Sequence, residues 1–166
     1  AYSPRFDLGV PFLLYNTPPG TYVLSGIVTT VLHVTALTGL KITVTAGFLS
    51  VPVLGYFIAK TFDDAPPDSP KFVAMVLGLL SSELWGLEFF FRNGMLNPAL
   101  GVPFLLATLY FFRRTQTSPF PQALRHIAFG GFFFACTACT HLLSTYMLCI
   151  ALGAFVLGRR LKDWGH

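Results

Sequence analysis

The sequence predicts an all-α, polytopic integral membrane protein of about five transmembrane helices, with a range of four to six. Three observations lead there. Of 166 residues, 54% are hydrophobic and 16% aromatic, with 18 Phe among them, and the mean hydropathy is +0.64. Only 11% are charged, against about 25% in a soluble domain, which is too little polar chemistry to clothe a water-facing surface. The apolar residues also fall into runs close to the ~20 residues with which a helix crosses a ~30 Å hydrocarbon core.

The elements follow in order. Residues 1–21 form an amino-terminal extension closed by "TPPGT" at 17–21. It lacks the basic n-region, clean apolar core and small-residue cleavage site of a signal peptide. The chain opens on Ala1 rather than Met, which reads as removal of a methionine or of a longer targeting sequence, as in an imported organellar protein. Residues 22–158 are the expected transmembrane domain, with segments 22–40, 42–59, 71–92, 94–112 and 126–158. A single helix over 22–60 would be about 58 Å long, so a break is expected near Gly39–Lys41. The last run, about 48 Å as one helix, is either tilted and protruding or two short segments. "KTFDDAPPDSP" at 60–70 is a polar connection, with Asp68 or Ser69 placed to cap a helix entered through Pro70. "RRTQTSPFPQALR" at 113–125 reads as a second loop, and 159–166 as a short basic tail.

Charge is sparse and placed at the edges. The net +4 comes from 11 Lys+Arg against 7 Asp+Glu. Arg113, Arg114 and Arg125, then Arg159, Arg160 and Lys162, border apolar runs, where snorkelling side chains meet lipid headgroups. Bound phospholipid is therefore expected, and nucleic acid is not, because the basic clusters are short and flank membrane segments. If segments 71–92 and 94–112 both span, the acidic loop 60–70 and the basic loop 113–125 share one side, at odds with a simple positive-inside reading. The three cysteines lie between 136 and 149 and form no disulfide framework.

Ionisable groups inside apolar runs are costly and so attract functional suspicion. They are Glu83, Glu88, Arg92 and Lys41. Glu83 is the twelfth residue of the 72–91 run, near the expected midplane. Glu88 and Arg92 have the i,i+4 spacing of an intrahelical ion pair. Glu83 and Glu88 lie about 140° apart around a helix, so they do not form an acid–base dyad. The structural reading pairs Glu88 with Arg92 and gives Glu83 a partner on a neighbouring helix or subunit. The functional one makes Glu83 a proton- or ion-handling carboxylate. His33 and His141 sit deep in the first and last runs. They are possible haem b or quinone contacts, as paired histidines are in membrane cytochromes. A neutral histidine bonded to a threonine or carbonyl across a helix interface explains each equally well. His126, beside Arg125, reads as interfacial.

Two small-xxx-small faces are expected to pack helices, in this chain or a partner: Gly78–Ser82–Gly86 and Gly131–Ala135–Cys139. "CTAC" at 136–139 is one cysteine pair in an apolar helix, short of the four ligands of a zinc site. No nucleophile elbow, metalloprotease motif or phosphate loop occurs, so no catalytic residue, resident cofactor or metal is expected. These features favour a non-catalytic integral subunit of a multi-subunit, energy-transducing complex, of respiratory or ATP synthase type, in the mitochondrial inner membrane. Such a subunit contributes helix packing and contacts to lipid and to other membrane subunits. The alternatives are a small transporter or proton-handling channel subunit using Glu83, and a b-type haem or quinone-site anchor using His33 and His141.

Overall fold

A computed structural model describes residues 5–6, 10–11, 20–62, 66–83 and 98–164. Apart from a two-residue antiparallel pairing of β1 (Arg5–Phe6) with β2 (Val10–Pro11), the regular structure described is helical. The helices are α1 (Gly20–Leu32), α2 (Ala36–Ala59), α3 (Ser69–Glu83), α4 (Pro98–Thr117), α5 (Phe120–Thr140) and α6 (Leu142–Trp164). Two of them, Ala36–Ala59 and Phe120–Thr140, are long and apolar enough to cross a membrane. The apolar parts of α1, α3 and α6 are shorter.

The first expected break moves. Gly39 and Lys41 lie inside α2, and the chain turns at 33–35 instead. His33 adopts the left-handed region at φ 53°, and the Val34 N–H reaches back to the Thr29 carbonyl at 3.2 Å. That is a Schellman ending, with a histidine where glycine is usual. Thr35 then caps α2: its hydroxyl accepts from the Thr38 N–H at 3.2 Å. Gly39 serves packing, since a Cβ there would land on the Thr29 side chain and 3.0 Å from the Ser25 carbonyl of α1.

The second expected loop, 113–125, shrinks to Ser118–Pro119. Hydropathy ends at Phe112, but nothing in "RRTQT" stops a helix, and the Thr115 hydroxyl bonds the Phe111 carbonyl at 2.9 Å. The Pro119 carbonyl then accepts the N–H groups of Gln122 and Ala123 to open α5. The run after residue 126 resolves into two helices with one residue, His141, between them. At the start of α3, the Asp68 carboxylate meets the Lys71 ammonium at 3.0 Å, with both side chains exposed.

The hub is α2. Its buried residues Gly39, Thr43, Gly47, Val51, Gly55 and Ala59 recur every fourth position. Eight residues of helix turn through about 80° beyond two full turns, so the three glycines face successive directions and admit three different neighbours. Gly39 receives α1, Gly47 abuts Ala99 and Leu100 of α4, and Gly55 abuts Leu77 and Val73 of α3. Pro103 cannot donate to the Ala99 carbonyl four residues back, and that freed carbonyl is the atom a side chain on Gly47 would strike.

The contacts also set the directions of the helices. Pro52 meets Gly78 at 3.9 Å, so α3 returns antiparallel to α2. Phe57 meets Tyr110, ring centroids 6.3 Å apart, so α4 runs alongside α2 in the same sense. Phe111 stacks on Phe129, and Phe104 packs by Phe133, which makes α5 antiparallel to α4. Gly101 abuts His141 while Phe112 meets Phe155, so α6 runs parallel to α4. The ends of α2, α4 and α6 and the starts of α3 and α5 therefore lie toward one charged end, with the His33 turn at the other.

Candidate functional site

The interior mixes polar with apolar side chains, Leu148 and Val44 being as fully buried as the threonines, while the exterior is strongly apolar. The fully buried side chains include Thr21, Thr137 and Thr140, with Ser25, Thr43, Thr108 and Ser144 nearly as enclosed. Facing out are Phe120 at 84%, Ile150 at 71%, Val31 at 68% and Leu49 at 67% exposure, among many other large apolar residues. The buried apolar cluster is small: Val44, Phe48 and Ala99, with Leu40 against it.

The polar interior is a layer at mid-height of α2, where helix ends converge. Gly20 opens α1 against the Cys139 carbonyl and Thr140 of α5. Gly101, in the first turn of α4, lies against His141 and Ser144. Most hydroxyls here are satisfied locally: Thr137 donates to the Phe133 carbonyl at 2.9 Å, Thr140 to Cys136 at 2.8 Å and Thr43 to Gly39 at 2.8 Å. Two buried hydroxyls, on Thr21 and Thr29, have no partner.

His141 is the organising residue of this layer. Its N–H bonds the Thr137 carbonyl at 2.8 Å, ending α5. Its Nδ1 accepts the Ser144 N–H at 3.2 Å and lies 2.6 Å from the Ser144 hydroxyl, starting α6. Because a backbone N–H always donates, Nδ1 carries no proton and Nε2 does. A metal-bound imidazole has the reverse arrangement, with its second nitrogen donating outward. His33 is exposed at the α1–α2 turn. Since α1 begins beside Thr140, His33 lies a helix length away, about 18 Å. The two histidines are not brought together. Among the described residues, no group of three or more His, Cys, Asp or Glu could hold a metal.

The other sequence-derived positions are distributed as follows. Glu83 ends α3; counting from the Gly78–Pro52 contact, its backbone comes level with Gly47 and the polar layer. Glu88, Arg92 and Gly86 lie outside the described residues, and Ser82 belongs to the last turn of α3. Lys41 is exposed on α2. Gly131, Ala135 and Cys139 face outward, and nothing lies within 4 Å of a side chain added at Gly131. Among the described residues, no helix packs on this face at Gly131. Cys136, Cys139 and Cys149 are free thiols. Arg114 and Arg125 are exposed at the charged end, while Arg159, Arg160 and Lys162 fall on the last turns of α6. Arg113 is half-buried, its guanidinium 5.2 Å above the Phe62 ring, its Nη1 3.5 Å from Gln116 and its Nε buried without a partner.

Sequence reading missed two features. The 39-43-47-51-55-59 stripe was visible as six small or β-branched residues at fourfold spacing. The cap role of His141 left no signal, because histidine is not an ordinary capping residue. Comparison with protein-family models finds no match, and neither a curated protein nor a solved structure matches the chain.

Proposed function

We propose that the chain is a polytopic integral membrane protein that serves as a non-catalytic subunit of a larger membrane complex. The observation that carries this reading is the apolar exterior around an interior rich in small and polar residues. Threonines and serines line the helix contacts, while Phe, Leu, Ile and Val cover the outside, as expected where the solvent is as apolar as the side chains and helices associate through small and polar residues. The outward stripe Gly131–Ala135–Cys139 on α5 supplies an unused surface on which a partner helix could approach closely. An energy-transducing complex of an organellar inner membrane is the setting proposed; the near absence of soluble mass and the basic clusters at apolar edges support it.

Two measurements test this. Alkaline carbonate should leave the protein in the membrane pellet, and release into the supernatant would refute membrane integration. On a mild-detergent native gel it should migrate with a far larger assembly, whereas migration at its own mass of 18.2 kDa plus micelle would refute the subunit reading. A second reading, proton handling at Glu83, draws on the placement of that residue level with the polar layer. Under that reading Glu83→Gln abolishes flux per assembled complex. If the variant only dissociates, with flux per complex unchanged, Glu83 is a docking residue.

A further inference from the structure

Near the charged end, α2, α4 and α5 leave an open apolar groove of about 420 Å³. Leu54 and Phe57 of α2, Tyr110 and Phe111 of α4, and Phe129 and Phe133 of α5 line it. Phe57 and Phe129 are about half exposed within it, and Phe111 stacks on both Phe129 and Phe133, at 5.3 and 5.6 Å. The walls are therefore rigid aromatic faces, with almost no polar surface.

The rim toward the charged end differs. Because α4 and α5 are antiparallel, one turn forward on α4 and one turn back on α5 lead to the same side. From Tyr110 that step reaches Arg114, and from Phe129 it reaches Arg125, each about 6 Å along its helix. His126 packs on the groove-lining Phe111, ring centroids 5.9 Å apart, and its Nδ1 is buried with no partner. Arg113, the neighbour of Arg114, holds a buried Nε with no partner, and no carboxylate pairs with it among the described residues. Buried polar atoms left unsatisfied in a folded protein call for an unseen partner.

We infer that this groove is a binding site for an acidic phospholipid, with an acyl chain along Phe57, Phe129 and Phe133 and the phosphate at the Arg113–Arg114–His126 rim. The inference rests on the membrane reading above. Charge complementarity selects the occupant: Arg114 and Arg125 border the rim by helix spacing, with Arg113 beside Arg114, and planar guanidinium groups pair with phosphate oxygens through two parallel hydrogen bonds. A neutral isoprenoid or a partner helix would fill the groove but leave the guanidinium groups unpaired. Basic pockets between transmembrane helices bind acidic headgroups on this same principle.

The test uses the full chain purified in a neutral detergent, with bound lipid read by native mass spectrometry and by thermal shift. Phosphatidylglycerol should remain bound and raise the melting temperature, and phosphatidylcholine with the same acyl chains should do so far less. Arg113→Gln and Arg114→Gln should each weaken phosphatidylglycerol retention about five-fold, the loss expected of one cation at an acidic headgroup. Phe57→Ala with Phe129→Ala, both at exposed positions, should weaken both lipids alike. Equal binding of the two lipids, an arginine variant without effect, or a neutral amphiphile as the co-purifying molecule would overturn the inference. Stabilisation by inorganic phosphate as strong as that by phosphatidylglycerol would overturn it too, because the groove would then contribute nothing. Release of the chain by carbonate would refute the membrane reading itself, whereas an integral protein indifferent to headgroup charge loses only the lipid site.

Discussion

Replacing Gly47 by alanine tests the packing of the hub directly. In an exposed helix the change would stabilise by about 1 kcal/mol, because alanine has the higher helix propensity. At Gly47 the new Cβ strikes the Ala99 carbonyl and comes to 3.0 Å from Leu100 Cδ2. Ordinary contact begins near 3.4 Å, so α4 must retreat by roughly an ångström, and a gap of that size forfeits a quarter to a half of each dispersion contact along the seam. Overpacking of a tight interior costs about 1–3 kcal/mol. Once the propensity gain is deducted and the lost dispersion added, a net destabilisation of about 1–2 kcal/mol is expected. Gly131→Ala is the internal control, since that helical position opens onto empty space and should gain about 0.5–1 kcal/mol. The two single variants should therefore differ in Tm by roughly 3–12 °C, read as loss of near-UV circular dichroism in detergent. If Gly47→Ala melts at or above Gly131→Ala, the close approach of α2 and α4 is wrong.

The remaining predictions are shorter. His33→Gly should raise stability by about 1 kcal/mol, since glycine bears no penalty at positive φ; a fall in Tm or loss of a visible chromophore would instead implicate the imidazole. His141→Ala should cost about 1 kcal/mol through loss of the cap on α6, and His141→Asn should recover most of it in the same melting assay. In a background without Cys136, Cys139 and Cys149, Asp68→Cys and Ser118→Cys should react with an impermeant maleimide from one face of sealed vesicles, and Leu37→Cys from the other. Labelling of Asp68→Cys and Ser118→Cys from opposite faces would refute the parallel run of α2 and α4. Ala135→Leu should leave the stability of the isolated chain within about 0.5 kcal/mol of wild type yet shift the native-gel band to lower mass, because it roughens a face that none of the described helices covers.

The side assignment bears on the charge pattern. The sequence puts the acidic loop 60–70 and the basic stretch 113–125 on one side if both intervening segments span, at odds with a simple positive-inside reading. In the fold Arg113 lies over Phe62, so the two join at one end, together with the carboxyl-terminal turns of α6. Among the described residues at that end, Lys60, Lys71, Arg113, Arg114 and Arg125 outnumber Asp68. On the proposed membrane reading, the positive excess summed over that end is what a single inward-facing side would carry.

Composition and apolar runs by themselves determined that this chain is helical and strongly apolar, because both depend on how many polar atoms exist and how they recur. They also marked the proline-rich 60–70 connection and the edge arginines. The turns were less legible. Hydropathy reports where a membrane would end, not where a helix ends, so "RRTQT" read as loop although it is helix. A glycine reads as a break, although Gly39 is there for close packing and the real break is a histidine in the left-handed region. Only the tertiary structure decided which small residues are inside. Gly39, Gly47 and Gly55 are pressed against three helices while Gly131 stands open, because helix rotation and the identity of the neighbour, neither of them local in the chain, set what a side chain would meet. The same holds for His141: its Nδ1 is committed to Ser144 by the geometry of two helix ends meeting at one residue, and no spacing in the sequence encodes that.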